Sequence, residues 1–430
     1  MQATLSLEST PAIGVPMRFF LTAPLFGMAA GCLMIYSGPS LFETRWSPAA
    51  LALTHLITAG FVLQSVLGSL QQLLPVVAGA SIARAPRVAG LVHTTITPGA
   101  LCLVAAFLVP WPPLFTIAAS LLCIGVGGFI VAAALALHRT QTKSHVVFGL
   151  RLALSGLGVT VSLGALLALS LDWSLTLPLA LLTNLHLTWG FVGWGLITVG
   201  SVALTVVPMF QQTPAYPHWF AGSFAVSAST SVLLWSAADW LGWEPLASTL
   251  AAGIVLIAAA LAVMTLHLQQ RSRRARRDTT GRLWFLAMLC TVTACAVWMA
   301  AAWFAPFGAW RGWPMLLGVL VLFGGFTSVI IGMMYKIVPF LVWLHLREHG
   351  EGRLIAPNMK IVLAQHQIDR QAISHYLSLT LLLSAVIWPT WFTQAAGAGL
   401  IVSNGWLLRN LLACAAVYRN HMAKLKKLAH

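Results

Sequence analysis

The chain is short of charge, and above all of negative charge: 9 acidic residues stand against 24 Lys and Arg, and charged residues make up 8% of 430 positions. A soluble domain carries about a quarter charged residues, so an ordinary water-soluble fold is excluded. So few acids also count against a classical proton- or sodium-coupled carrier, which needs carboxylates inside its bundle. All six cysteines, Cys32, Cys102, Cys123, Cys290, Cys295 and Cys414, fall inside apolar runs. There a thiol packs as a small apolar group, and a disulfide framework is not expected. No Cys-x-x-Cys-His occurs, which excludes covalently attached c-type heme. Walker, dinucleotide, zinc-protease and nucleophile-elbow signatures are absent as well. The first sixteen residues have neither a basic region nor a small-residue cleavage site, so no removed signal peptide is expected.

What the chain has instead is apolar length. Hydrophobic residues make up 59% of it, and the mean hydropathy is +0.87. About 20 apolar residues cross the hydrocarbon core as a helix, and twelve such runs are present. They lie near 18–38, 49–78, 89–109, 113–137, 147–170, 177–209, 218–238, 246–268, 282–305, 313–345, 371–390 and 393–417. The runs are continuous and far longer than ten residues, which excludes an alternating-strand barrel. The expectation is an all-α integral membrane protein, one polytopic domain over residues 1–430, whose first partner is the lipid bilayer.

The net charge of +15 is then topological, with no nucleic-acid partner implied. Basic residues gather in alternate connections: Arg84 and Arg87, Arg139 and Lys143, Arg271 to Arg282, Arg347 to Lys360, and Lys424 to Lys427. The opposite connections hold only Arg45 and Arg311, with acids such as Glu43, Asp172, Asp239 and Glu244. The positive-inside rule predicts a bacterial-type inner (plasma) membrane protein, multi-pass, with both termini cytoplasmic. The cluster from Arg271 to Arg277 reads as a topogenic, lipid-facing loop.

One mark recurs three times: Leu73-Leu74-Pro75, Val206-Val207-Pro208 and Ile337-Val338-Pro339, each at the far end of a long run. A single copy is ordinary helix punctuation. Three copies, with prolines 133 and 131 residues apart, point to internal repeats near 17–138, 146–269 and 281–418. The second helix of each four would be a core helix, ended or kinked by its proline. Lys336, three residues before Pro339, is expected to snorkel to the interface.

Histidines carry the chemistry. There are thirteen, and an imidazole in hydrocarbon must pair or ligate. His55 and His186 open the first two marked runs, near the periplasmic face, and the third run has none. Each could donate to a neighbouring carbonyl, or ligate heme iron or copper. Gly60 follows His55, and Gly190, Gly193 and Gly195 follow His186. These glycines suggest gaps in the helix surface for a flat cofactor, though small residues also serve plain packing. On the cytoplasmic side, His218, His345, His349 and His366 read as solvated, while His93 and His375 lie deeper and are candidates for a second metal site.

Twelve spans in three fours, with His55-Leu-Ile-Thr-Ala-Gly60-Phe61 opening the second and Gly68 to Gln71-Gln72-Leu73-Leu74-Pro75 closing it, resemble the catalytic subunit of heme-copper oxidases. They also resemble its relatives, including the NnrS family. The resemblance implies three pseudo-symmetric four-helix arcs, b-type heme at the position of His55, copper at that of His186, and a respiratory redox partner. The pattern also departs from that family. No adjacent His pair stands on the seventh run and no His-x-His on the tenth, so dioxygen reduction is disfavoured. Met315 is a candidate second axial ligand by location alone. The resemblance therefore implies electron transfer or handling of nitric oxide or metal stress. The alternative is a heme-free membrane carrier or channel for a metal ion or small molecule.

Overall fold

The computed structural model describes residues 10–274, 276–350 and 354–428, and among them there is no strand. The first nine residues, Ala275 in the basic cluster, and 351–353 in the connection from Arg347 to Lys360 lie outside the described residues. Twelve long helices follow one another. They are α1 (Gly14–Ser37), α2 (Pro48–Ala78), α3 (Ala85–Leu108), α4 (Pro113–Arg139), α5 (His145–Asp172), α6 (Leu179–Gln211) and α7 (His218–Trp240). After them come α8 (Glu244–Gln270), α9 (Thr279–Trp303), α10 (Trp313–Gly350), α11 (Gln365–Ile387) and α12 (Pro389–Leu428).

Eleven of these, all but α11, are long and apolar enough to cross a bilayer among the described residues. The protein is a multi-pass membrane protein. The run read as the eleventh of twelve spans does form a helix, and its 23 residues have the length to cross. What lowers its hydropathy is a polar opening, Gln365 to Arg370, together with a polar inner face on which Gln371, His375 and Ser378 are all fully buried. At spacings of four and three they lie on one side of the helix.

Burial separates ten of the helices into two groups, with α12 between them at 39%. Of the most apolar stretch in α1, α2, α6 and α10, 56–67% is buried, against 22–33% in α3, α4, α5, α7, α8 and α9. Three of the four deep helices carry the proline marks. The shallower ones turn large apolar side chains outward, among them Leu91, Ile124, Val131, Leu234 and Leu256, a surface suited to lipid rather than water.

The prolines are helix residues, not helix ends. Pro75 and Pro208 are each followed by one more turn, which stops at a left-handed residue four positions after the proline: Gly79 (φ 58°) and Gln212 (φ 53°). At Gly79 the stop is an αL motif, with Gly79 N donating to Pro75 O at 3.1 Å, and Ala80 N donates further back to Leu74 O at 2.9 Å. After Pro339 no such residue follows, and α10 runs on to Gly350.

The chain divides into two compact units. One comprises Gln72–Arg276 and Met288–Trp313, hence α3 to α8 and most of α9. Here α3 packs on α4, α4 on α5, α7 on α8, and α5 along α6. Leu182 and Leu185 of α6, Val232 and Trp235 of α7, and Ala247 and Ile254 of α8 make one buried cluster. The other unit comprises Pro11–Gln71, Arg277–Ala287 and Pro314–His430, with α1 packed along α12 and α12 along α11 and α10.

In this second unit Asp278 caps α9, accepting from Gly281 N at 2.9 Å, and its other oxygen pairs with Lys336 Nζ at 2.7 Å. The lysine is held at a carboxylate rather than merely reaching for water. These side chains are 27% and 21% exposed, whereas the neighbouring pair Arg282–Asp369 (2.5 Å) is 50% and 36% exposed. Asp278→Ala is therefore expected to cost about 2 kcal/mol, a lost cap plus a stranded ammonium, and Arg282→Ala less than about 1 kcal/mol. Thermal unfolding in detergent checks this, and equal losses would refute it.

Candidate functional site

Each of the three proline-marked helices contains a π-helical segment: Leu56–Leu63 in α2, Trp189–Leu196 in α6 and Val319–Thr327 in α10. Each ends twelve residues before its proline, at 63, 196 and 327 against 75, 208 and 339. Each also has a glycine three residues before its own end: Gly60, Gly193 and Gly324. A π turn widens the coil and is frequent at functional sites. Glycine, with its low helix propensity and absent side chain, lowers the cost of the wider coil.

His55 directly precedes the first π segment, and His186 stands three residues before the second. Both are half-buried. His55 Nδ1 lies 2.8 Å from Leu51 O, one turn back in its own helix. His186 Nδ1 lies 2.9 Å from Thr160 O, on the adjacent helix α5. A carbonyl only accepts, so in both rings Nδ1 carries the proton and Nε2 carries the lone pair. That is the tautomer in which an imidazole ligates through Nε2, with a carbonyl orienting it from behind.

Helix α5 is shaped for this contact. Gly156, Thr160 and Gly164 recur at intervals of four and form one stripe. A Cβ on Gly156 would lie 2.1 Å from Gly193 O, so the α5 backbone touches the second π segment directly. Thr160 Cγ2 sits against Gly190 at 3.3 Å from its would-be Cβ, and a Cβ on Gly164 would meet the His186 ring at 2.9 Å. Gly60, Gly190 and Gly193 therefore serve packing and do not leave open slots. Phe26 of α1 fills the space beside Gly60, at 2.3 Å from a would-be Cβ, and Trp189 with α5 fills that beside Gly193.

The third π segment has no histidine ahead of it, but one reaches it from α11. His375, fully buried, has Nε2 2.8 Å from Ser328 Oγ, the residue just after the segment. Its ring packs on Phe323 within the segment, with centroids 4.7 Å apart. The Ser328 hydroxyl also lies 3.3 Å from Phe323 O, and the second ring nitrogen of His375 is Nδ1. That atom has no hydrogen-bond partner among the described residues, nor do Thr327 Oγ1 beside Ser328 and Gln371 Oε1 one turn from His375. The same face of α11 continues through Gln371, whose amide donates to Ser403 O and Oγ at 3.3 Å, to Gln367, whose carbonyl accepts from Asn410 at 3.2 Å. Asn410 also donates to the Tyr335 hydroxyl at 3.0 Å. A polar seam thus follows α11 through an otherwise apolar bundle.

The remaining histidines divide clearly. His345 is buried, with Nδ1 2.9 Å from Leu341 O and Nε2 3.0 Å from Pro11 O, and His349 Nδ1 lies 2.7 Å from His345 O. These are backbone ties. His93 is half-buried on α3 in the first unit, while His375 belongs to the second. His218 faces His145, a residue to which the sequence drew no attention. Met315 lies in the first turn of α10. No group of three or more His, Cys, Asp and Glu converges to hold a metal ion among the described residues. A tightly held copper or zinc ion in a closed site takes three or four protein ligands, and an open site with fewer leaves positions to water, whereas heme iron needs only one or two, because the porphyrin supplies the others.

The α5 stripe was missed at the level of sequence, although Gly156, Thr160 and Gly164 at four-residue spacing are a readable signal of close helix approach. The π segments have no comparable signal beyond their glycines. Comparison with protein-family models and with curated proteins finds no match for the chain.

Proposed function

We propose that this protein binds b-type heme within the bilayer through His55 and His186 and acts in electron transfer or in handling nitric oxide or metal stress. It would do so on a scaffold of three four-helix arcs like that of the heme-copper oxidases. The observation that carries the reading is the paired geometry of these rings, each beside a π segment and each with Nδ1 committed to a carbonyl. The residues fit heme at the ligating atom. Copper fits less well, since no third ligand converges on either histidine among the described residues.

A bound heme, held by His55 and His186, would supply a one-electron iron centre able to take a diatomic ligand. The chain's own contribution is orientation and dryness. Thr160 O and Leu51 O hold the rings and raise the basicity of Nε2, Gly164 gives the His186 ring its room, and buried Phe61 and Trp194 limit water around the segments. The matched spacing of three π segments and three prolines supports the repeat on which the scaffold rests. The test is the absorption spectrum of protein produced with ample heme, oxidised and then dithionite-reduced. A Soret band that shifts on reduction is expected, and its absence ends the proposal.

A second reading, a heme-free carrier for a metal ion or small molecule, draws on the seam at His375 and its unpartnered polar atoms. It predicts no chromophore and uptake or export lost in His375→Leu. The respiratory redox partner follows the heme reading and falls with it.

The proposed orientation, both termini cytoplasmic in an inner membrane, depends on α11 crossing, since twelve crossings return the chain to the side where it began. Fusions of green fluorescent protein to either terminus are expected to fluoresce and alkaline phosphatase fusions to be inactive. An active C-terminal phosphatase would mean that α11 does not cross.

A further inference from the structure

We infer that His145 and His218 form a binding site for one divalent transition-metal ion of the copper, nickel and zinc class. The two Nε2 atoms are 3.4 Å apart, longer than the roughly 2.7–3.2 Å of a nitrogen–donor hydrogen bond. Two nitrogens each about 2.1 Å from one ion, at roughly the tetrahedral angle, lie about 3.4 Å apart. The rings agree with that construction. Imidazoles radiating from a shared ion have centroids about 5.2 Å apart, and here they are 4.9 Å apart with planes at 79°. Rings meeting end to end in a hydrogen bond would have their centroids further apart still.

The pair is held from both sides. Each histidine is the first residue of its helix, α5 or α7. Ser144 caps α5 by accepting from Val147 N at 3.2 Å. Before α7, Tyr216 is buried and its hydroxyl lies 2.8 Å from Thr265 Oγ1. Burial pushes that phenol well above its ordinary range, so it stays a neutral hydroxyl in this bond. Gly222, one turn after His218, leaves room for the His145 ring, whose Cε1 would lie 3.4 Å from a Cβ there. Among the described residues each ring's polar side-chain contact is the other ring, and His218 is exposed, so water can complete the coordination. The positive ends of two helix dipoles close by weaken the binding of any cation, and imidazole ligands with no carboxylate grouped beside them among the described residues favour borderline ions over magnesium and calcium.

The probe is Cu2+-iminodiacetate, which keeps two adjacent positions open, added to the full chain in detergent and read by electron paramagnetic resonance and calorimetric titration. One equivalent with two imidazole nitrogens on copper is expected. His145→Ala and His218→Ala should each weaken it by at least the roughly 10- to 100-fold that loss of even an outer-shell partner costs, and the double variant should lose it altogether. Binding that survives in the double variant, or that falls by equal independent halves in the singles, would overturn the assignment. Both positions are at the surface end of their helices, so an unchanged melting temperature and gel-filtration profile are expected and separate loss of a ligand from loss of fold. The readout does not involve the Soret band, so this site and the heme proposal succeed or fail separately.

Discussion

Protein carrying both His55→Ala and His186→Ala is expected to retain less than roughly a tenth of the heme bound by the unaltered chain, since no other protein bond holds the iron in the proposed sites. Each single variant should remove the share its own histidine ligates. The two rings are not equally dependent on their surroundings. His55 takes its carbonyl from its own helix, at Leu51, and should keep its orientation as long as α2 is folded. His186 depends on α5, through Thr160 O and the space over Gly164. Gly164→Leu should therefore reproduce the His186→Ala spectrum while leaving the histidine in the chain. Gly158→Leu on the same helix should not, because a Cβ there meets only Ile130 Cδ1, at 3.9 Å. If the double variant keeps a full Soret band, the ligands lie elsewhere. If Gly164→Leu keeps one while His186→Ala loses it, the role given to α5 is wrong.

A glycine-to-alanine exchange should change sign with position, and the loss at Gly156 should be the largest single structural effect in the first unit. A methyl group there would lie 2.1 Å from Gly193 O and 2.4 Å from its carbonyl carbon. Backbone cannot rotate out of the way, so α5 and the second π segment must separate. A loss of about 3 kcal/mol, at the upper end for overpacking, is expected. In the second unit Gly31 and Gly397 form a reciprocal contact, with would-be Cβ atoms 2.4 and 2.7 Å from each other's carbonyl oxygens. Either exchange there should separate α1 from α12 at a similar cost. Gly253 of α8 has nothing within 4 Å of a Cβ, and Gly253→Ala should stabilise by up to about 1 kcal/mol through helix propensity. Unfolding in mixed detergent measures all four. A destabilised Gly253→Ala, or a neutral Gly156→Ala, would show that helix approach is not what these glycines provide.

Helix positions were legible to within a few residues. The run read at 113–137 is α4, Pro113–Arg139, and that read at 177–209 is α6, Leu179–Gln211. In a bilayer a stretch of apolar residues has to bond its own backbone, so hydropathy and length decide the element without reference to its neighbours. The same logic explains α11. Its length is that of a span, but its inner face is written in Gln371, His375 and Ser378, and a hydropathy profile cannot tell a polar face turned inward from one exposed to lipid.

The sites were only partly legible. His55 and His186 stood out because a histidine in an apolar run is costly anywhere. Their tautomers did not, because Leu51 O and Thr160 O become acceptors only once the rings are oriented. Nothing near His375 in the chain points to Ser328, 47 residues away, and His145 and His218 are separated by 73. The three proline marks were visible, but not that two precede left-handed stops and the third does not.

By itself, then, the sequence determined that this is a helical membrane protein and where its helices run, because transfer into lipid depends on composition along the chain. Tertiary structure alone decided where α2, α6 and α10 widen into π turns, which carbonyl each histidine faces, and which glycines are contacts. Those outcomes depend on which helix lies beside which, at distances of 2–4 Å that no single run of residues specifies.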